Sequence, residues 1–153
     1  MLGIASKAFF SLLAQSKLLK TLASRLGMRR ATSVARRFVA GETVDDAVAA
    51  AVAVEAAGFL QTLDHLGESV TTLAEADAAT REYLVMVDRI VASGIGRNVS
   101  LKLTQLGLDV DRAIALDNLR KILERAEPAD FFVRIDMESS RYTQTTIDMF
   151  ETL

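Results

Sequence analysis

Near the C-terminal end of the chain, Val133, Ile135 and Met137 interleave with Arg134, Asp136 and Glu138. Strand side chains alternate between faces with a period of two, so the three charged groups project from one side. The run at 99–103 repeats the pattern, with Ser100, Lys102 and Thr104 opposite Val99, Leu101 and Leu103. In the run at 60–66, Thr62 and Asp64 share a face. Charges on a buried sheet face need partners or a function. Asp64, Lys102, Asp136 and Glu138 all fall at or near the C-terminal ends of their strands. Carboxylates and an ammonium gathered there suit an active site. The alternative is an internal ion-pair network that fills the space.

The elements that must position these groups follow from periodicity. Between the strand runs lie helical patterns. Thr72 and Glu75 have capping-box spacing, and Leu73, Ala76, Tyr83, Leu84, Val87, Ile90 and Val91 form one predicted face. Gly94 and Gly96 close that unit. A second helix carries Leu116, Leu119, Ile122, Leu123 and Ala126 on one side, and Pro128 stops it. A third carries Ile147 and Phe150. Before the strands, residues 1–58 read as helical throughout. Phe9, Leu12, Leu13, Leu19, Leu22 and Leu26 make a stripe, a short helix spans about 31–39, and another starts at Thr43 with Asp45 and Asp46 at its positive end.

Strand and helix alternate three times, which predicts βαβ units and a parallel sheet. Open doubly wound sheets and closed barrels share this beginning. A strand in an open α/β sheet is covered on both faces and apolar on both, and these strands are not. A barrel accounts for them, with one face on the helices and the other around an interior whose carboxyl-end mouth is the site. The expected fold is α/β: a partial (βα)8 TIM-type barrel, its first three βα units at 59–153, preceded by an N-terminal helical lead-in at 1–58.

Composition excludes several classes. There is no cysteine and His65 is the sole histidine, so thiolate and His-rich metal sites are ruled out. His65 is expected to pack or line a rim, not to catalyse. Gly94-Ile95-Gly96 follows a helix and precedes a strand, the wrong order for a phosphate loop. Arg29-Arg30 and Arg36-Arg37 lack the aromatic interleaving of a nucleic-acid surface. Residues 1–41 hold eight Lys/Arg and no acid, whereas 42–153 hold ten against twenty Asp/Glu. That basic front could meet the acidic body of its own protein or anionic lipid. No stretch approaches the roughly eighteen uncharged apolar residues of a membrane span, and the chain is expected to be soluble and cytoplasmic.

Three motifs, in order, carry a family resemblance: Leu63-Asp64-His65-Leu66-Gly67-Glu68, then Ser100-Leu101-Lys102-Leu103-Thr104-Gln105-Leu106-Gly107-Leu108, then Val133-Arg134-Ile135-Asp136-Met137-Glu138. They resemble the first three strand-end motifs of bacterial monofunctional proline dehydrogenases. Arg36-Arg37-Phe38-Val39-Ala40-Gly41-Glu42-Thr43 is similar to that family's lead-in to its barrel. The resemblance implies FAD-dependent oxidation of L-proline to Δ1-pyrroline-5-carboxylate, with electrons passing to a quinone and peripheral contact at the inner membrane.

It also implies residue roles. Lys102 pairs with the substrate carboxylate, and Asp136 lies beside flavin and substrate as an orienting acceptor. Glu138 holds arginines that grip the carboxylate, and Glu68 pairs with one of them to close the site. Met137 either touches the flavin or packs on the helix side, and the second is expected. Read from the residues themselves, Asp64 is expected to be a hydrogen-bonding support, and Arg134, deeper along its strand than Asp136, an interior ion-pair partner. The family's arginines and most flavin contacts belong to later strands and helices, so this sequence is expected to be the N-terminal portion. The competing expectation is an inert partial barrel that self-associates as a homo-oligomer through an unpaired strand edge.

Overall fold

Three helices begin where a short polar side chain can take up a free backbone N–H. A computed structural model describes residues 39–67 and 70–153. The expected helices of 1–38 and the candidate Glu68 lie outside the described residues. Helix α1 (Val44–Ala56) starts with a capping box: Thr43 Oγ1 accepts from Asp46 N at 3.1 Å, and the Asp46 carboxylate accepts from Thr43 N at 3.2 Å. Helix α2 (Leu73–Ser93) repeats the device with Thr72 and Glu75. Helix α3 (Arg112–Ala126) is capped by Asp111, whose Oδ1 accepts from Ala113 N at 2.6 Å and Ile114 N at 3.3 Å. Each such cap contributes about 1 kcal/mol. Gly94 ends α2 in the left-handed conformation, at φ 73°. Pro128 follows α3 within a short turn, Glu127–Ala129.

Between the helices run strands β1 (Leu63–Asp64), β2 (Asn98–Leu101) and β3 (Phe132–Ile135). They form a parallel sheet in the order β1-β2-β3. Leu63 is level with Val99 and Val99 with Val133, while Asp64 is level with Ser100 and Ser100 with Arg134. The register therefore puts Leu63, Val99, Leu101, Val133 and Ile135 on one face and Asp64, Asn98, Ser100 and Arg134 on the other, with Phe132 the apolar exception on the polar side. A final helix, α4 (Thr143–Phe150), follows β3. The expected strands were longer. Residues 60–62 read as strand from their apolar character but make no ladder, and Leu60 is 98% exposed.

The core lies on the apolar face. Val99, Leu101, Leu103 and Leu106 meet Tyr83, Met86 and Ile90 of α2, Leu119 and Ile122 of α3, and Met149 of α4. Helix α1 packs against α2 and adds Ala51 to the cluster, and residues 43–153 form one compact unit. On α2 the buried stripe is shifted from the predicted one: Leu73 and Val91 are exposed, and Ala79 and Met86 are buried instead. On α4 Ile147 and Phe150 face outward, and Thr146 and Met149 are the buried pair. In both helices a period of 3.6 left two neighbouring stripes available, and the sheet selected between them. Among the described residues no helix is long and apolar enough to cross a membrane.

Candidate functional site

Past its last ladder residue, β2 turns sharply. Gln105 N donates to Lys102 O, and Leu106 N and Leu108 N both donate to Leu103 O. Buried Asn118 of α3 pins the turn by donating to Leu106 O at 3.0 Å. Gly107 makes the turn possible. Its φ is +102°, and a Cβ there would stand 3.0 Å from the Ala76 Cβ. Beyond β3 the ladder continues one step further, since Asp136 N donates to Leu101 O at 2.8 Å. That bond brings Asp136 beside Lys102.

Lys102 Nζ lies 3.0 Å from Asp64 Oδ2 and 3.4 Å from Asp136 Oδ2. The Lys102 side chain is 18% exposed and each aspartate side chain 29%. One residue from each of the three strand ends thus converges on a single point. The other oxygen of Asp136 is 3.3 Å from Arg134 Nε. Burial alone would lower the Lys102 ammonium. The hydrogen bond and charge of Asp64, reinforced by Asp136, outweigh burial and hold it above the ordinary lysine value. The lysine is a fixed cation through the neutral range.

Glu138 sits next to this group and is oriented from the neighbouring strand end. Thr104 N donates to its Oε2 at 3.2 Å and Thr104 Oγ1 to its Oε1 at 2.5 Å. Among the described residues no cation pairs with Glu138.

Beneath the cluster is a polar layer that sequence periodicity did not single out. Tyr83 is fully buried on α2. Its hydroxyl lies 3.2 Å from Asp64 Oδ1, 3.1 Å from Ser100 O and 3.0 Å from Gln105 Oε1. Gln105, also fully buried, accepts from Lys102 N at 3.1 Å and donates from Nε2 to His65 O. Burial, and then the charge of Asp64, push the Tyr83 phenol well above the ordinary tyrosine value, so it stays protonated. The signal was present in the sequence: Tyr83 is the one hydroxyl-bearing aromatic of an aliphatic stripe, and Gln105 interrupts the apolar run 103–108.

Asp64, Lys102 and Asp136 are therefore brought together, and Glu138, two residues beyond Asp136, is held by Thr104. His65 is half-buried, with its ring edge-on to Tyr83 at 6.0 Å between centroids. Met137 is not packed against helices as expected. It is 57% exposed, because the ladder has ended and the chain is leaving the sheet. A groove of about 660 Å³ lies elsewhere, between the end of α3 and the start of β3, lined by Leu123, Phe131, Phe132 and Val133 among others. It shares no residue with the cluster.

The chain matches the family model described as proline dehydrogenase over residues 47–153. It is 36% identical over 141 residues to "Proline dehydrogenase 1" of Bacillus subtilis (strain 168), covering 92% of this chain and 46% of that protein. It is 31% identical over 132 residues to "Proline dehydrogenase" of Deinococcus radiodurans, covering 84% and 43%. The chain thus spans about half the length of the curated relatives it matches. The fold is similar to that of proline utilization A (PutA) from Bdellovibrio bacteriovorus inactivated by N-propargylglycine. The TM-score is 0.67 at 23% identity, over 75% of this chain and 14% of that one.

Proposed function

The chain belongs to the proline dehydrogenase family, and from that premise we propose that its strand ends form one arc of a site that oxidises L-proline to Δ1-pyrroline-5-carboxylate. The observation that carries the proposal is the convergence of Asp64, Lys102 and Asp136 from three successive strand ends. The proposed architecture is the opening of a (βα)8 barrel, in which strand C-termini build the site. The lead-in at 1–58 is proposed to precede it, with α1 at its end.

Proline is a zwitterion, and the cluster offers both signs. Lys102, held charged by two carboxylates, binds the substrate carboxylate as a point cation on a long stem. Asp136 accepts a hydrogen bond from the substrate nitrogen and orients the ring. Glu138, fixed by Thr104, presents its carboxylate to arginines that grip the other side of the substrate carboxylate. Glu68 is assigned the acid that pairs with one of them.

A bound flavin, proposed as FAD, supplies the two-electron acceptor that oxidation of a saturated C–N bond requires. The described residues suit one end of FAD. Asp136 offers an acceptor, and the exposed Met137 side chain offers a polarizable apolar surface to a flat ring. They do not suit the diphosphate end. Lys102 and Arg134 already pair with Asp64 and Asp136, and the described strand ends carry a surplus of carboxylates. The diphosphate is assigned to other residues of the site. A quinone is the proposed onward acceptor. The basic run of 1–41 is the proposed contact with the cytoplasmic face of the inner membrane, and failure to bind anionic vesicles at low salt would remove that part.

The test is the visible spectrum of the chain with added FAD, before and after L-proline. Retained flavin that bleaches with L-proline supports the proposal. Retained flavin that does not bleach overturns the substrate, and no retained flavin overturns cofactor binding by this chain.

One observation favours a second function, that of a self-associating interaction protein. Phe132, at the start of the outer strand β3, is 62% exposed beside the 660 Å³ groove. A single monomeric species on gel filtration at high concentration would dismiss it.

A further inference from the structure

Tyr83 reaches the site from below, and its contacts decide what it does there. A phenol has one proton to donate, yet three atoms surround the Tyr83 hydroxyl: Asp64 Oδ1 at 3.2 Å, Ser100 O at 3.1 Å and Gln105 Oε1 at 3.0 Å. All three are acceptors. The Gln105 assignment is fixed by its other bonds, because Oε1 accepts from Lys102 N while Nε2 donates to His65 O. Turning the amide over would set N–H against N–H at Lys102 and oxygen against oxygen at His65. The acceptors therefore compete for the phenol proton, and the ionised carboxylate is the strongest of them.

The two oxygens of Asp64 are held by different groups: Oδ1 faces the Tyr83 hydroxyl, and Oδ2 faces Lys102 Nζ at 3.0 Å. Asp64 ends a strand of only two residues, and its side chain is 29% exposed. Without the phenol it has water to turn to. The ring of Tyr83 is itself fixed, buried in the core and met edge-on by His65.

We propose that Tyr83 is a positioning residue of this site: its buried hydroxyl holds Asp64, and Asp64 in turn holds the Lys102 ammonium in place beside Asp136. The significance of that placement rests on the proposal above that Lys102 binds substrate. The arrangement itself does not, and the two fail separately. A phenylalanine would fill the same space, so the hydroxyl and not the ring carries the role.

The experiment is competitive acetylation of the chain across pH, with the rate at Lys102 read by peptide mass spectrometry in the wild type and in Tyr83→Phe. Lys121 serves as the internal reference. With the hydroxyl gone, Asp64 turns to solvent and Lys102 loses its hydrogen bond to Asp64. The expected result is on the order of tenfold faster labelling of Lys102 at neutral pH, with its rate profile moved to lower pH. An unchanged profile in a folded Tyr83→Phe chain overturns the proposal and leaves Tyr83 a packing residue.

Should Tyr83→Phe not fold, Asp64→Asn tests the same link with Tyr83 in place. The Tyr83 hydroxyl proton, shielded from exchange by burial, is followed by NMR in protein carrying labelled tyrosine. A neutral amide is a weaker acceptor, so the resonance moves upfield, and an unmoved resonance overturns the proposal. Protection of Lys102 from acetylation by L-proline reads the substrate role separately. Its absence, with the Tyr83 effect intact, overturns the binding role of Lys102 and leaves the positioning role standing.

Discussion

Thr104 holds Glu138 with both of its donors, the backbone N–H at 3.2 Å to Oε2 and the hydroxyl at 2.5 Å to Oε1. The two residues leave adjacent parallel strands, so a single threonine fixes the orientation of a carboxylate on the next strand end. Thr104 is 2% exposed, and its hydroxyl has a charged acceptor. Thr104→Val keeps the shape and the N–H but removes the hydroxyl. It is expected to destabilise the chain by about 1–2 kcal/mol in urea unfolding, with Thr104→Ser close to wild type. Equal stability of the valine and serine variants would show that the hydroxyl bond contributes nothing.

Gly107 is required twice over, by its φ of +102° and by the 3.0 Å that a Cβ would have to the Ala76 Cβ. A side chain there is strained in the left-handed region and also presses on α2. Gly107→Ala should cost about 2 kcal/mol or more. It should also disturb the turn that sets Lys102 and Gln105. The check is thermal unfolding together with the acetylation rate of Lys102, both of which should change. A stable variant with unaltered Lys102 labelling would contradict the role assigned to this turn.

The alkaline limb of the stability curve carries two contributions of the same sign. Lys102 is raised above its ordinary value of 10.5, where burial opposes and the Asp64 hydrogen bond prevails. In the window between the unfolded and folded values, the native state keeps a proton that the unfolded chain has released. The stability it supplies is therefore complete below pH 10.5 and is lost as pH rises through the folded value. Tyr83, raised above 10.0 by burial and then by the Asp64 charge, also keeps its proton in the native state alone. The Tyr83 contribution begins to fall above pH 10.0 and the Lys102 contribution above pH 10.5, so both favour unfolding beyond the latter. Lys102→Gln and Tyr83→Phe should each flatten the fall of stability with pH in urea melts taken at alkaline pH. Parallel curves for the variants and wild type would refute the assignment.

Much of this was legible in the sequence wherever the determinant is local. Thr43 with Asp46, and Thr72 with Glu75, are capping pairs within one turn. The alternation from Val133 to Glu138 follows from the two-residue period, and the same period aligned Asp64, Lys102 and Asp136 on one face. What escaped is set by partners far along the chain. The ladder partners of β1 decided that it is two residues long, although residues 60–66 read as strand. The core selected Met149 over Ile147 and Phe150 on α4. Tyr83 counted as an apolar position of α2, and its role depends on Asp64 and Gln105, 19 and 22 residues away. Met137, expected inside, lies past the point where the sheet stops.

Phe132 poses the last question, because it lies on the outer strand β3 and is 62% exposed. Its neighbours on the strand, Val133 and Ile135, are only partly buried although both pack against the core. Outer strands with exposed aromatic surface template association, and a charged side chain at such a position discourages it. Phe132→Lys is therefore expected to shift sedimentation-velocity profiles toward the monomer while leaving unfolding free energy within about 0.5 kcal/mol, since an exposed ring contributes little to the fold. A loss of stability well beyond that would mean that Phe132 serves the core of its own chain. An unchanged, fully monomeric profile in both proteins would remove self-association as a function.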